Sequence, residues 1–166
     1  MKKIGKWAVF TAALFVLQTS MLPLMAYHGV TADLLLLLTV SVAFLRGNKQ
    51  GAFMGFGTGL MQDLATGTFF GVNTLSRTLL GLLFGQFSDR VFKEQFFLPV
   101  LASIAATILN YFILALLMVL LGYRFNLESH VQQMLVPMLL YQLAFAYPVH
   151  RLAYALDKKL SKKEKH

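Results

Sequence analysis

Two acids and one arginine stand in stretches that otherwise hold mostly apolar and small residues. Asp33 precedes the run Leu34 to Leu38, Asp63 lies between Gly51 and Phe70, and Arg77 lies between Thr74 and Ser88. Ionisable groups in such surroundings have two uses. They hold helices together by pairing with one another, or they form a polar cluster that binds a group from a substrate or partner. Asn110, Gln18, Gln62 and Gln142 are the other polar side chains embedded in apolar runs, and their amides suit hydrogen bonds between helices.

Other chemistries lack their residues. The chain has no cysteine, so it can build no disulfide, thiol nucleophile or cysteine zinc site. His28, His130, His150 and His166 are scattered without the spacing of a metal site, and no HExxH, nucleophile elbow or phosphate loop occurs. The expectation is a protein that is not an enzyme, with no metal and no cofactor.

Composition sets what must position these residues. Of 166 residues, 57% are hydrophobic and 13% charged, where a soluble domain carries about 25% charged. The net charge of +8 does not point to nucleic acid, because the basic residues sit at the edges of apolar runs. That is the pattern of membrane orientation. Six spans are expected, over about 7–26, 30–45, 51–70, 74–88, 96–121 and 131–149. They make residues 1–156 a single membrane domain, an all-α six-helix bundle, followed by a basic cytoplasmic tail at 157–166. The first span follows Lys2, Lys3 and Lys6 and is expected to remain as an anchor, since its apolar run exceeds that of a signal peptide. Thr31 is placed to cap the second span, with Asp33 near its start. Pro137 and Pro148 are expected to kink the sixth.

Under this layout 13 of the 15 Lys and Arg residues fall on the amino-terminal side; Arg124 lies opposite and Arg77 within a span. The excess predicts a multi-pass protein with both termini in the cytoplasm. It would also attract anionic membrane lipid.

Glycine gives the third and fourth spans their character. Gly47, Gly51, Gly55, Gly59, Asp63, Gly67 and Gly71 fall at every fourth residue, and Asn73, Arg77, Gly81, Gly85 and Asp89 repeat that spacing. Small residues at this interval let two helix backbones approach closely in a bilayer. Gly51, Gly55, Gly59, Gly67, Gly81 and Gly85 are therefore the candidate helix-packing residues, and Asp33, Asp63 and Arg77 the candidate intramembrane polar cluster, open toward the outer face. A loop of about five residues makes the two spans antiparallel neighbours. An Asp63–Arg77 ion pair would place Gly59 opposite Gly81 and Gly55 opposite Gly85. A homodimer is compatible with the same pattern.

The run Asp33-Leu-Leu-Leu-Leu-Leu, then Leu45-Arg46-Gly47, Gly51, Gly55-Phe56, Gly59-Leu60, Asp63, Gly67, Gly71, Asn73 and Gly81, resembles the rod shape-determining protein MreD family over about residues 5–155. Ala32 departs from it, since the family often has proline before the aspartate. The resemblance implies a scaffold of the bacterial inner membrane, in the elongation complex that directs lateral peptidoglycan synthesis and cell shape. Its implied partners are MreC, together with MreB filaments and wall-synthesis enzymes reached directly or through MreC. The alternative is the substrate-binding membrane subunit of an energy-coupling-factor vitamin transporter, a class whose six-helix fold the MreD family resembles. The outer loops are short and the only tryptophan, Trp7, lies at the opposite edge, so a stacked vitamin pocket is not evident.

Overall fold

The computed structural model describes residues 2–67, 69–88, 97–124 and 131–162. The polar segment from Asp89 to Glu94, His130 and the end of the basic tail lie outside these residues. Within them the chain is helical throughout: α1 (Lys2–Ser20), α2 (Leu34–Arg46), α3 (Asn48–Thr66), α4 (Val72–Gly85), α5 (Phe97–Leu120) and α6 (Val136–Lys162). No strand occurs among the described residues.

The helix ends follow local chemistry. Pro23 disfavours α-helix before it and lacks an N–H, so the chain leaves α1 through a 3₁₀ turn over Leu22–Met25. A tight turn then closes with Tyr27 and Val30 bonded to each other through both backbone amides. α2 starts at Leu34 and its cap is Asp33, not Thr31: the carboxylate accepts from the Leu36 amide at 2.9 Å. A single π turn over Val131–Leu135 precedes α6, and Pro137 stands where it gives way to α-helix. α6 continues past the expected end of the last span, so the segment from Asp157 is helical as far as Lys162. Burial of Leu160 explains the extension.

The molecule is built around α2. Every residue from Leu34 to Leu45 is buried, as expected of a helix that is apolar on all sides and enclosed by others. Leu34, Leu35, Leu38, Val42 and Leu45 pack against α1 and α6 residues such as Trp7, Leu14, Ala146 and Val149. Leu36, Val40, Ala43 and Phe44 face Leu80, Phe84 and Ala106 of α4 and α5. The surrounding helices turn large apolar side chains outward, among them Val9, Phe53, Leu64, Leu79, Phe112 and Leu116. α5, 24 residues long, is apolar and long enough to cross a membrane, whereas Ile4–Ser20 and Leu34–Arg46 are shorter apolar helices.

α3 and α4 form the most extensive helix pair. A side-chain carbon on Gly51 would collide with Ala43 and the Gly81 carbonyl; on Gly55, with the Arg77 carbonyl; on Gly59, with Thr74; and on Gly85, with Asn48. Gly51, Gly55, Gly59, Gly81 and Gly85 thus lie where main chain meets main chain. Gly67 does not: nothing stands within 4 Å of its side-chain position, and it instead ends α3 in the left-handed conformation at φ 64°.

The register also differs from the expected one. Gly55 lies against Arg77, not Gly85, and Gly81 against Gly51, not Gly59. The displacement is eight residues, about 12 Å at 1.5 Å per residue. It follows from the connection, which turns through left-handed Gly67 and Gly71 and starts α4 level with the last turn of α3.

Candidate functional site

That register decides the partners of the buried charges. Gly59 lies against Thr74, so Asp63, one turn further along α3, arrives above the first residues of α4. There it does the work of an N-cap. Oδ2 accepts from the Gly71 amide at 3.0 Å, the Thr74 amide at 2.9 Å and the Thr74 hydroxyl at 2.5 Å. Oδ1 accepts from the Asn73 amide and its Nδ2, both at 3.0 Å. Five donors converge on one carboxylate, whose charge also opposes the positive end of the α4 dipole. The expected Asp63–Arg77 pair is therefore replaced by two separate arrangements.

Arg77 lies one turn deeper on α4 and reaches α2. Its Nη2 donates to Asp33 Oδ2 at 2.7 Å, with the two side chains 1% and 12% exposed. Nη1 points to the Thr58 carbonyl at 3.4 Å, while Nε is buried without a hydrogen-bond partner. Asp33 thus serves two helices with its two oxygens: Oδ1 holds the first turn of α2 and Oδ2 holds α4.

The amino end of α2 draws one polar side chain from each remaining helix. Gln18 of α1 accepts from the Leu35 amide at 3.2 Å and donates to Gln62 of α3 at 3.0 Å. Gln142 of α6 accepts from the Asp33 amide at 3.1 Å and donates to Thr107 of α5 at 3.1 Å. Helix starts leave backbone N–H groups without intrahelical partners, and an enclosed apolar site offers them no water. These glutamines supply the missing acceptors. One turn into α2, the hydroxyls of Thr39 and Thr58 meet at 2.8 Å. Ser76 donates to Asn110 at 2.6 Å, tying α4 to α5.

The arrangement is closed, not open toward the outer face: Asp63 and Arg77 are each 1% exposed. What it can do is hold six helices in one orientation. His28 takes φ 51° in the turn before α2 and stacks edge-on against Tyr27, far in sequence from His150, which is buried on α6.

At the opposite end of α2 a second charged group fastens the bundle. Arg46 Nε donates to Asp157 Oδ1 at 2.6 Å, and its guanidinium lies 5.3 Å from the centre of the Trp7 ring. α1, α2 and α6 are joined there. Nothing in the local sequence marks this contact, since the partners of Arg46 are 39 residues before it and 111 after it.

Charged groups sealed inside, glutamines spent on helix ends and large apolar side chains turned outward define an all-α protein of the membrane class. The model of the family described as rod shape-determining protein MreD matches residues 1–159. The chain belongs to that family, whose members are membrane proteins with a role in rod shape determination. No curated protein and no solved structure matches the chain.

Proposed function

We propose that this chain is a non-enzymatic scaffold of the bacterial cytoplasmic membrane, acting with MreC in the elongation complex that directs lateral peptidoglycan synthesis. In this reading it crosses the membrane six times with both termini in the cytoplasm. Its bundle is similar to the substrate-binding subunits of energy-coupling-factor transporters. MreB filaments and the wall-synthesis enzymes are reached directly or through MreC.

The observation that carries the reading is where the polar groups go. Asp33, Asp63, Arg77, Gln18 and Gln142 are all committed to helix ends and to each other. None of these five is left exposed for turnover. What remains for a partner is apolar helix face and the basic rim, the surfaces through which a scaffold works. The excess of Lys and Arg on one side supports the orientation.

Affinity purification of the tagged protein from its host in a gentle detergent tests the proposal. Recovery of MreC with wall-synthesis enzymes is the expected outcome. Recovery of an ATPase pair with a second membrane subunit, and no MreC, would replace the scaffold with a transporter subunit.

A further inference from the structure

A cavity of about 570 Å³ opens between α1 and α3, with Val42 of α2 behind it. Its walls are mainly apolar, with Trp7 and Ala8 on one side and Phe53, Met54 and Met61 on the other, and Thr11 and Thr58 set among them. Gly57 also lines it and has nothing within 4 Å of its side-chain position. This glycine therefore leaves space where its neighbours Gly55 and Gly59 touch backbone. Along α3 the lining runs from Lys49 to Met61, about 18 Å at 1.5 Å per residue and close to half of a bilayer's roughly 30 Å hydrocarbon core.

The charged lining is unequally placed. Arg46 and Lys49 stand together at one end, which is the end where the Lys and Arg residues of the chain concentrate. Arg46 is committed to Asp157, whereas Lys49 is exposed. Trp7, beneath them, has a buried indole N–H with no hydrogen-bond partner, an uncommon state for a buried tryptophan. An apolar slot one leaflet deep, with cations at its mouth, matches a molecule with a long hydrocarbon chain and an anionic head.

We infer that the α1–α3 cavity is a binding site for one anionic phospholipid, its acyl chain lying along Gly57 and its phosphate at Lys49 and Arg46. The site requires the membrane setting of the family and is independent of whether the protein is a scaffold. A bound lipid fills space that otherwise separates α1 from α3, so it joins the first helix to the rest of the bundle.

Native mass spectrometry of the full chain, delipidated and then titrated with phosphatidylglycerol or with phosphatidylcholine, tests the site. One phosphatidylglycerol should be retained in preference to phosphatidylcholine. Lys49→Gln should lower that preference about fivefold, the effect of one basic residue near a lipid phosphate. Gly57→Leu fills the slot and should abolish retention while leaving thermal stability equal or higher. Ala8→Leu, which fills it from the opposite wall, gives the same readout should the α3 variant fail to fold. Equal retention of the two lipids by the unmodified chain, undiminished retention by a folded slot-filling variant, or a polypeptide occupying the cavity in place of lipid would each overturn the assignment.

Discussion

Arg77 and Asp33, 44 residues apart in sequence, meet at 2.7 Å inside the bundle, where Asp33 also caps the helix to which Arg77 is drawn. The two partners are not equivalent. Without Arg77, the Asp33 carboxylate still faces the amino end of α2 and the Leu36 amide. Without the Asp33 charge, Arg77 retains only the distant Thr58 carbonyl.

Asp33→Asn keeps a competent cap but leaves the guanidinium buried and unpaired, a loss of about 3–5 kcal/mol for a broken buried pair. Arg77→Met should cost less, and the Asp33→Asn, Arg77→Met double variant should be more stable than Asp33→Asn alone. Thermal unfolding in detergent measures all three. Equal losses for the two single variants would mean that the two partners are equivalent.

Asp63 acts on a different element. Asp63→Ala strips an acceptor from the amides of Gly71, Asn73 and Thr74, each left buried or half-buried, at about 1–3 kcal/mol per unsatisfied group. Hydrogen exchange should rise at those amides first. The loss should add to that of Arg77→Met, since the two side chains serve separate networks; strong coupling between them would restore the direct pair.

The glycines of α3 divide by what faces them. Gly55→Ala and Gly59→Ala drive a methyl into the α4 backbone and should each destabilise by about 1–3 kcal/mol. Gly57→Ala meets nothing and should be neutral, or stabilising by up to about 1 kcal/mol through helix propensity. Melting temperatures of the three variants check the order. Gly57→Ala falling with the other two would mean that α3 is turned differently on its axis.

At the other end, Arg46→Gln breaks the bond to Asp157 and removes the cation from Trp7. The expected loss is about 1 kcal/mol, and it should appear mainly as faster hydrogen exchange in α6 beyond Ala153, with α3 and α4 unchanged.

Some of this is visible in the sequence. Asp33 ahead of a leucine run announces a helix start, and the four-residue glycine spacing announces close packing, because both are local patterns with local causes. The register is not local. It is fixed by two left-handed glycines in a five-residue connection, and a slide of eight residues there exchanges the partner of Arg77 from Asp63 to Asp33. The role of α2 is hidden for another reason: in a membrane protein a leucine run has the same hydropathy whether it faces lipid or other helices. Its enclosure shows only in the polar residues drawn to its amino end, and two of these, Gln18 and Gln142, lie on the first and last helices.

The enclosure of α2 has a consequence for biogenesis. The chain emerges from the ribosome amino end first, so α2 is made well before Arg77 and Gln142 exist to receive Asp33. For that interval its leucines lack the helices that enclose them, while Asp33 has the Leu36 amide but not yet its cation, and the Asp33 amide has no acceptor. Closure arrives with α6, 109 residues after Asp33, so a chain truncated before its last helix is an incomplete core in which the Asp33 amide lacks its Gln142 acceptor and one side of α2 lacks its cover.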